Sequence, residues 1–259
     1  MRGIKVTFYG GMTILLENEA GFKLLLDPYF NKNPHQVCKA SDFCDVDLIA
    51  VTHNANDHYG DTTEILKNSG ASLLACNDVV ARARRECGDC VDGSRLYTTI
   101  YGDEKTFGGI SIRTVLAQHI SRTEYENGVA SFAPPLGFVV QFENGVTYYH
   151  GGDTSIYGDM KLIRDLYRPN IACLSIDRWR PRTGKVLPPR EAAMAADWLG
   201  VDVVIPGHYA PGSEAPQEFV QMMRAFAPTA QIRGEMKKPF YYIPYEVCSA
   251  EEMEGEHGN

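Results

Sequence analysis

Between Val51 and Asp61 the chain reads VTHNANDHYGD, which places two imidazoles and a carboxylate, at His53, Asp57 and His58, in one short loop. Three further donors lie far downstream, at His119, Asp153 and His208. Each follows a run with strand character. DLIAVT precedes His53, IRTVLAQ precedes His119, GVTYYHGG precedes Asp153 and VDVVIPG precedes His208. Imidazole and carboxylate are the ligands that zinc and similar cations take from proteins, and residues leaving the ends of neighbouring strands can converge on one rim. A single histidine after a strand is more often a hydrogen-bonding loop residue. It is the joint placement of the set that points to a metal centre.

A divalent cation at such a rim lowers the pKa of water toward about 7 and polarises a carbonyl or phosphoryl oxygen, so hydrolysis is the expected reaction. A second group with chemical potential is DRWRPRTGK, which packs Arg178, Arg180, Arg182 and Lys185 into a chain of net charge −8. Guanidinium binds carboxylate and phosphate in bidentate fashion, and Arg178 and Arg180 stand nearest the preceding strand, so they are the candidate substrate clamp. An exposed charged loop or a subunit contact is the competing reading. Tyr209 and Tyr59, each following a candidate ligand, could donate to a developing oxyanion or simply pack as rings. His150 fits a supporting role behind the ligands, and His35 has no assigned role. The lone Cys87-Gly-Asp-Cys90 pair reads as free thiols rather than a zinc or redox site.

The elements needed to hold these residues follow from the apolar pattern. IKVTFYG, MTILLE and FKLLLDP form a strand meander. DLIAVT is a buried strand, the stretch from Asp61 to Ser69 a helix stopped by Gly70, ASLLACN a strand, and DVVARARREC a helix capped by Asp78. RLYTTI, GISIRTVLAQH, PLGFVVQFE and VTYYHGGD are a second strand series. DMKLIRDLYRP, ended by Pro169, and PPREAAMAADWLG, with proline at its start and Gly200 at its end, are helices flanking the strand IACLSI, before the strand VDVVIPGH. Two such halves are most economically satisfied by an α/β fold of four layers, an αββα sandwich. Residues 1–248 read as a single domain and 249–259 as a polar C-terminal tail.

The 259 residues, 44% hydrophobic and 22% charged, suffice for one large core. The acidic balance, with a sequence pI of 5.4, argues against nucleic acid as a partner. The start lacks a signal-like segment, and no run approaches the roughly 18 apolar residues of a membrane span. Seven scattered cysteines suit reduced thiols. These features lead to the expectation of a cytoplasmic protein, with a small-molecule substrate and room for a homo-oligomer.

The run from Thr52 to His58, then His119, GGDT at Gly151 to Thr154 and PGHY at Pro206 to Tyr209, resembles the metallo-β-lactamase superfamily over nearly the whole chain. The stretch YHGGDTSIYGDMKLIRDLYRPNIACLSI is similar to a branch of metal-dependent hydrolases near the lactonase of phosphorylated ascorbate. The resemblance implies the metallo-β-lactamase fold and one or two divalent ions, zinc foremost, with manganese or iron as alternatives. It also implies that His53 and His119 serve a first metal, that Asp57, His58 and His208 serve a second, and that Asp153 stands between them. Asp57 would also orient the attacking water and pass a proton to the leaving group. The family motif HxHxDH falls on His53, Ala55, Asp57 and His58, so Ala55 stands where a first-site imidazole is expected. A carboxamide of Asn54 or Asn56, or a water, could take that place. The implied activity is hydrolysis of a small anionic ester, lactone or amide. A phosphodiesterase and a degenerate metal-binding protein are the alternatives.

Overall fold

The meander expected at the start forms β1 (Ile4–Phe8), β2 (Ile14–Glu17) and β3 (Lys23–Leu26), paired antiparallel in sequence order. The direction then changes. β4 (Leu48–Val51), β5 (Ser72–Ala75) and β6 (Leu96–Thr98) join in parallel, with helices α1 (Thr62–Asn68) and α2 (Asn77–Cys87) as the crossovers. In this computed structural model, residues 3–35, 37–124, 128–177, 186–244 and 246–249 are described.

The second half begins with the antiparallel pair β7 (Glu104–Phe107) and β8 (Ile110–Leu116). A separate hairpin follows, β9 (Ser121–Glu124) with β10 (Ala130–Ala133), then β11 (Leu136–Gln141) and β12 (Thr147–His150). Beyond them run α3 (Met160–Tyr167), β13 (Ile171–Ser175), α4 (Pro189–Leu199), β14 (Val203–Gly207), α5 (Ala215–Phe226) and β15 (Gln231–Ile232). The chain finally returns to the first sheet, where β16 (Phe240–Ile243) pairs with β1 and β17 (Glu246–Ser249) with β16. One sheet thus runs β17-β16-β1-β2-β3-β4-β5-β6 and the other β15-β14-β13-β12-β11-β8-β7.

The strand pleat shows why these layers stack. Successive side chains alternate between faces, and in the second sheet Phe138, Val140, Tyr148, Cys173, Val203 and Ile205 join the core shared with the first sheet. Their neighbours Val139, Tyr149, Ala172, Leu174 and Val204 join a separate core under α3, α4 and α5. The parallel strands β4, β13 and β14 are buried at every residue, which explains their unbroken apolar runs. The result is the expected αββα sandwich.

Several local expectations change. Helix α2 is capped at Cys76, because Asp78 lies inside the first turn with its carboxylate turned to Ser121 Oγ at 2.6 Å and Val79 N at 2.8 Å. Helix α5, with Pro216 in its first turn and Phe219 and Met223 buried, adds an element that the sequence reading passed over. Ser249, placed in the tail by sequence, pairs with Phe240 as the last residue of β17. The rest of the tail lies outside the described residues. Among the described residues no helix is long and apolar enough to cross a membrane.

Candidate metal centre

Each donor reaches the site from the end of a strand. β4 delivers Thr52 and His53, after which residues 55–59 wind into a turn in which the Ala55 carbonyl accepts from His58 N at 3.2 Å and Tyr59 N at 2.8 Å. That turn presents Asp57 and His58 together. His119 lies between β8 and the hairpin, Asp153 follows β12, and His208 follows β14. Close approach demands glycine before two of them. A Cβ on Gly152, at φ +56, would lie 2.7 Å from the Thr52 side chain, and one on Gly207 would lie 2.6 Å from the Gly11 carbonyl. That same carbonyl accepts from His208 N at 2.7 Å and holds His208 in a left-handed conformation, φ 64.

These side chains meet. His58 Nε2 is 3.4 Å from Asp153 Oδ1, His119 Nε2 is 3.7 Å from Asp153 Oδ2, and His208 Nε2 is 3.3 Å from Asp153 Oδ2 and 3.2 Å from Asp57 Oδ2. The His53 ring stands 4.1 Å from the His58 ring and 4.9 Å from the His119 ring, centre to centre. Ligand atoms of His53, His58 and Asp153 lie within 4.8 Å of one another, and so do those of Asp57, His58 and His208. Among the described residues, His53 Nε2, His58 Nε2, Asp153 Oδ1 and His208 Nε2 are buried without a hydrogen-bond partner, an arrangement that folding does not favour unless something else satisfies them. Lone pairs converging on one point from imidazole and carboxylate fit a divalent cation.

Behind the donors sits Asp27, at the end of β3 and fully buried. Its Oδ1 accepts from Thr52 N at 2.8 Å, and its Oδ2 accepts from Thr52 Oγ1 at 2.8 Å, His58 Nδ1 at 2.8 Å and His150 Nε2 at 3.1 Å. Thr52 Oγ1 spends its proton on Asp27, so at 3.1 Å it accepts from His53 Nδ1. Both imidazoles of the loop therefore have their Nδ1 protons fixed from behind and turn Nε2 forward as the donor. The sequence reading missed Asp27. Its position at a strand end, immediately before Pro28 in LLLDP, is the one local signal.

The charges are consistent with this packing. Burial would raise the Asp153 and Asp27 carboxyls, but the imidazoles around them, His208 and His58 for Asp153 and His58 and His150 for Asp27, hold both well below the usual carboxylate range. Asp57 is likewise drawn down to about 2, against its burial, by the adjacent His208 ring and by His58. Burial works against a charged His58, but Asp153 and Asp27 outweigh it and raise that imidazole well above its ordinary value. His208 is raised too, by Asp153 and Asp57 against its burial. His53 goes the other way, to about 3, because burial and the neighbouring His58 both disfavour its charge.

The loop is locked on its other side. Ser121 Oγ, held by Asp78, accepts from Asn54 N at 3.0 Å. The Asn54 side chain is committed as well, its Oδ1 accepting from Arg82 Nη1 at 2.8 Å and its amide donating to Arg122 O at 3.2 Å and to Thr123 Oγ1. The Asn54 carboxamide is therefore engaged away from the donor set and does not take the place of the imidazole at Ala55. Ala55 and the exposed Asn56 line a cleft of about 470 Å³ together with Arg82, Arg85 and Arg122. A second cavity, of about 240 Å³, opens directly on Asp57 and His208 and is walled by Tyr29, His35, Asp177 and Tyr209. His35, left without a role by sequence, donates from Nε2 to the Tyr209 carbonyl at 3.0 Å and packs edge-on against the Tyr209 ring. Tyr59 is a buried packed ring with Arg82 above it, its hydroxyl bonded to Thr63 at 2.6 Å. The expected substrate clamp, Arg178 and Arg180, lies outside the described residues, although the residue before it, Asp177, lines the cavity.

Comparison with known proteins bears on the fold and the family. The family profile described as "Beta-lactamase superfamily domain" matches residues 22–209. A UPF0173 metal-dependent hydrolase of Rubrobacter xylanophilus is 34% identical over 86% of this chain and 89% of its own. One from Pyrococcus abyssi is 36% identical over 85% and 92%. Among solved structures, Igni18, a metallo hydrolase from the hyperthermophilic archaeon Ignicoccus hospitalis, superposes with a TM-score of 0.74 at 26% identity, covering 92% of this chain and 99% of that one. The chain belongs to the metallo-β-lactamase superfamily and, within it, to the UPF0173 metal-dependent hydrolases.

Proposed function

We propose that the protein hydrolyses a small anionic ester, lactone or amide, in the manner of the lactonase-like branch of the superfamily. The observation that carries this reading is the convergence of buried, unpartnered imidazole and carboxylate atoms beside a small cavity whose wall is shared by Asp57 and His208. Asp57, His58 and His208 with Asp153 make a complete set for one cation, and His53 and His119 make a thinner set for another. The N/O donor set without thiolate suits zinc first, with manganese or iron as alternatives. A cation bound there supplies the activation of water and the polarisation of the scissile carbonyl.

The chain's own residues supply the rest. Asp57 stands between the donor set and the cavity and is ionised, so it is placed to orient the nucleophile and to carry a proton toward the leaving group. Tyr209 walls the cavity beside His208 and positions the substrate there. Substrate charge is read by the cation and by Arg178 and Arg180, which follow the cavity residue Asp177 in sequence.

Ala55 takes the place of an imidazole of the first set in this reading. Ala55→His is then expected to raise metal content toward about two ions per chain while lowering turnover, measured by elemental analysis beside assays on lactones, esters, amides and phosphodiesters. Metal content unchanged by the new imidazole would remove Ala55 from the account. Faster turnover of phosphodiesters than of every lactone, ester and amide in the panel would overturn the substrate class.

A further inference from the structure

The contacts behind Asp27 continue into the interior, away from the cavity. His150, the last residue of β12, is fully buried, and its Nε2 lies 3.1 Å from Asp27 Oδ2. An ionised carboxylate only accepts, so Nε2 carries the proton, and in that tautomer Nδ1 is the ring's acceptor. The Tyr148 hydroxyl lies 3.1 Å from that Nδ1 and is the donor. Tyr148 lies near Cys173 of β13, and both side chains are fully buried. Cys173 belongs to the floor of the site, since a Cβ on Gly207, the residue before His208, would lie 3.5 Å from its sulfur.

We infer that His150, backed by Tyr148, is a positioning residue that fixes the Asp27 carboxylate so that Asp27 presents His58 Nε2 to a metal ion. The donors point one way, from Tyr148 O–H to His150 Nδ1 and from His150 Nε2–H to Asp27. Asp27 Oδ2 receives Thr52, His58 and His150 together, and the three contacts define its rotamer. Loss of the His150 donor leaves Asp27 free to turn toward Thr52, and His58 loses its fixed partner. Polar groups behind a ligating histidine set its orientation and basicity, and their loss typically weakens metal binding by about 10- to 100-fold. A role confined to packing predicts a change in melting temperature with no change in metal affinity.

The inference rests on the reading of His58 as a metal ligand, and the experiment separates the two. Zinc dissociation constants are measured by chelator competition on the full chain and its variants, beside thermal melts of the metal-free proteins. His150→Leu is expected to weaken the tighter site by about 10- to 100-fold, and His150→Gln, which keeps a side-chain N–H donor, by no more than about 3-fold. Wild-type affinity in a folded His150→Leu, or a His150→Gln as weak as the leucine variant, would overturn the inference and leave the metal reading intact. Should His150→Leu fail to fold, Tyr148→Phe decides, with several-fold weaker zinc supporting the series and unchanged affinity overturning it. A wild-type chain that binds no zinc would overturn the metal reading itself.

Discussion

Asp57→Ala is expected to lower kcat by about 10³- to 10⁴-fold on any substrate that the wild type turns over, a loss of about 4 to 5.5 kcal/mol in transition-state stabilisation. The size follows from the two roles that one carboxylate holds. It offers an oxygen to the set formed with His58 and His208, and it is the carboxylate of that set that faces the cavity. Asp57→Asn separates the roles, because the carboxamide keeps an oxygen for the cation and loses the proton acceptor. The asparagine variant should therefore retain more metal than the alanine variant while remaining nearly as slow. The Asp57 side chain is 45% exposed, so both variants should melt within a few degrees of the wild type when metal-free. Near-normal turnover in Asp57→Ala would refute the role given to it.

Asp27→Ala should act on folding first. The substitution strands Thr52 N, the Thr52 hydroxyl, His58 Nδ1 and His150 Nε2 in a space with no access to water. Removing one partner of a buried ion pair costs about 3 to 5 kcal/mol, because the charge left behind is uncompensated. The loss should depend on pH. The Asp27 carboxyl is held low, so its contribution is complete above its unfolded pKa of about 3.9 and is lost as pH falls toward the folded value. The His58 imidazole is held high, so its contribution is complete below its unfolded pKa of about 6.5 and is lost as pH rises through the folded value. Urea titrations of the metal-free proteins should therefore show the largest gap between wild type and variant from about pH 4 to 6.5. A gap below about 1 kcal/mol across that window would mean that the network behind the ligands contributes little.

Much of the site could be read from sequence because each donor stands just beyond an apolar run. DLIAV, IACLS and VVIPG are buried parallel strands whose unbroken hydrophobicity is hard to mistake, and their carboxyl ends share the rim where His53, Asp177 and His208 emerge. Asp27 was hidden for a different reason. Its partners are Thr52, His58 and His150, the last 123 positions away, and only the pairing of layers brings them together. Asn54 illustrates the converse, since a polar residue beside a ligand looks available in sequence, while the folded hairpin and Arg82 consume both ends of its carboxamide. The β9–β10 hairpin itself was passed over. Its strand SRTE carries no apolar residue, ASFA is only four residues long, and the two pair with each other rather than with either main sheet.

The central claim is that Asp57, His58, His208 and Asp153 form a complete cation site and that His53 and His119 form a thinner one beside it. Metal content of the full chain, after equilibrium dialysis against zinc or manganese near neutral pH and again at about pH 5, tests it most directly. At least about one equivalent should be held near neutrality. The content should fall at about pH 5, because His58 and His208 hold protons more tightly than ordinary imidazoles and the cation must displace them. Less than about half an equivalent near neutral pH, with no hydrolysis restored by either metal, would contradict the account.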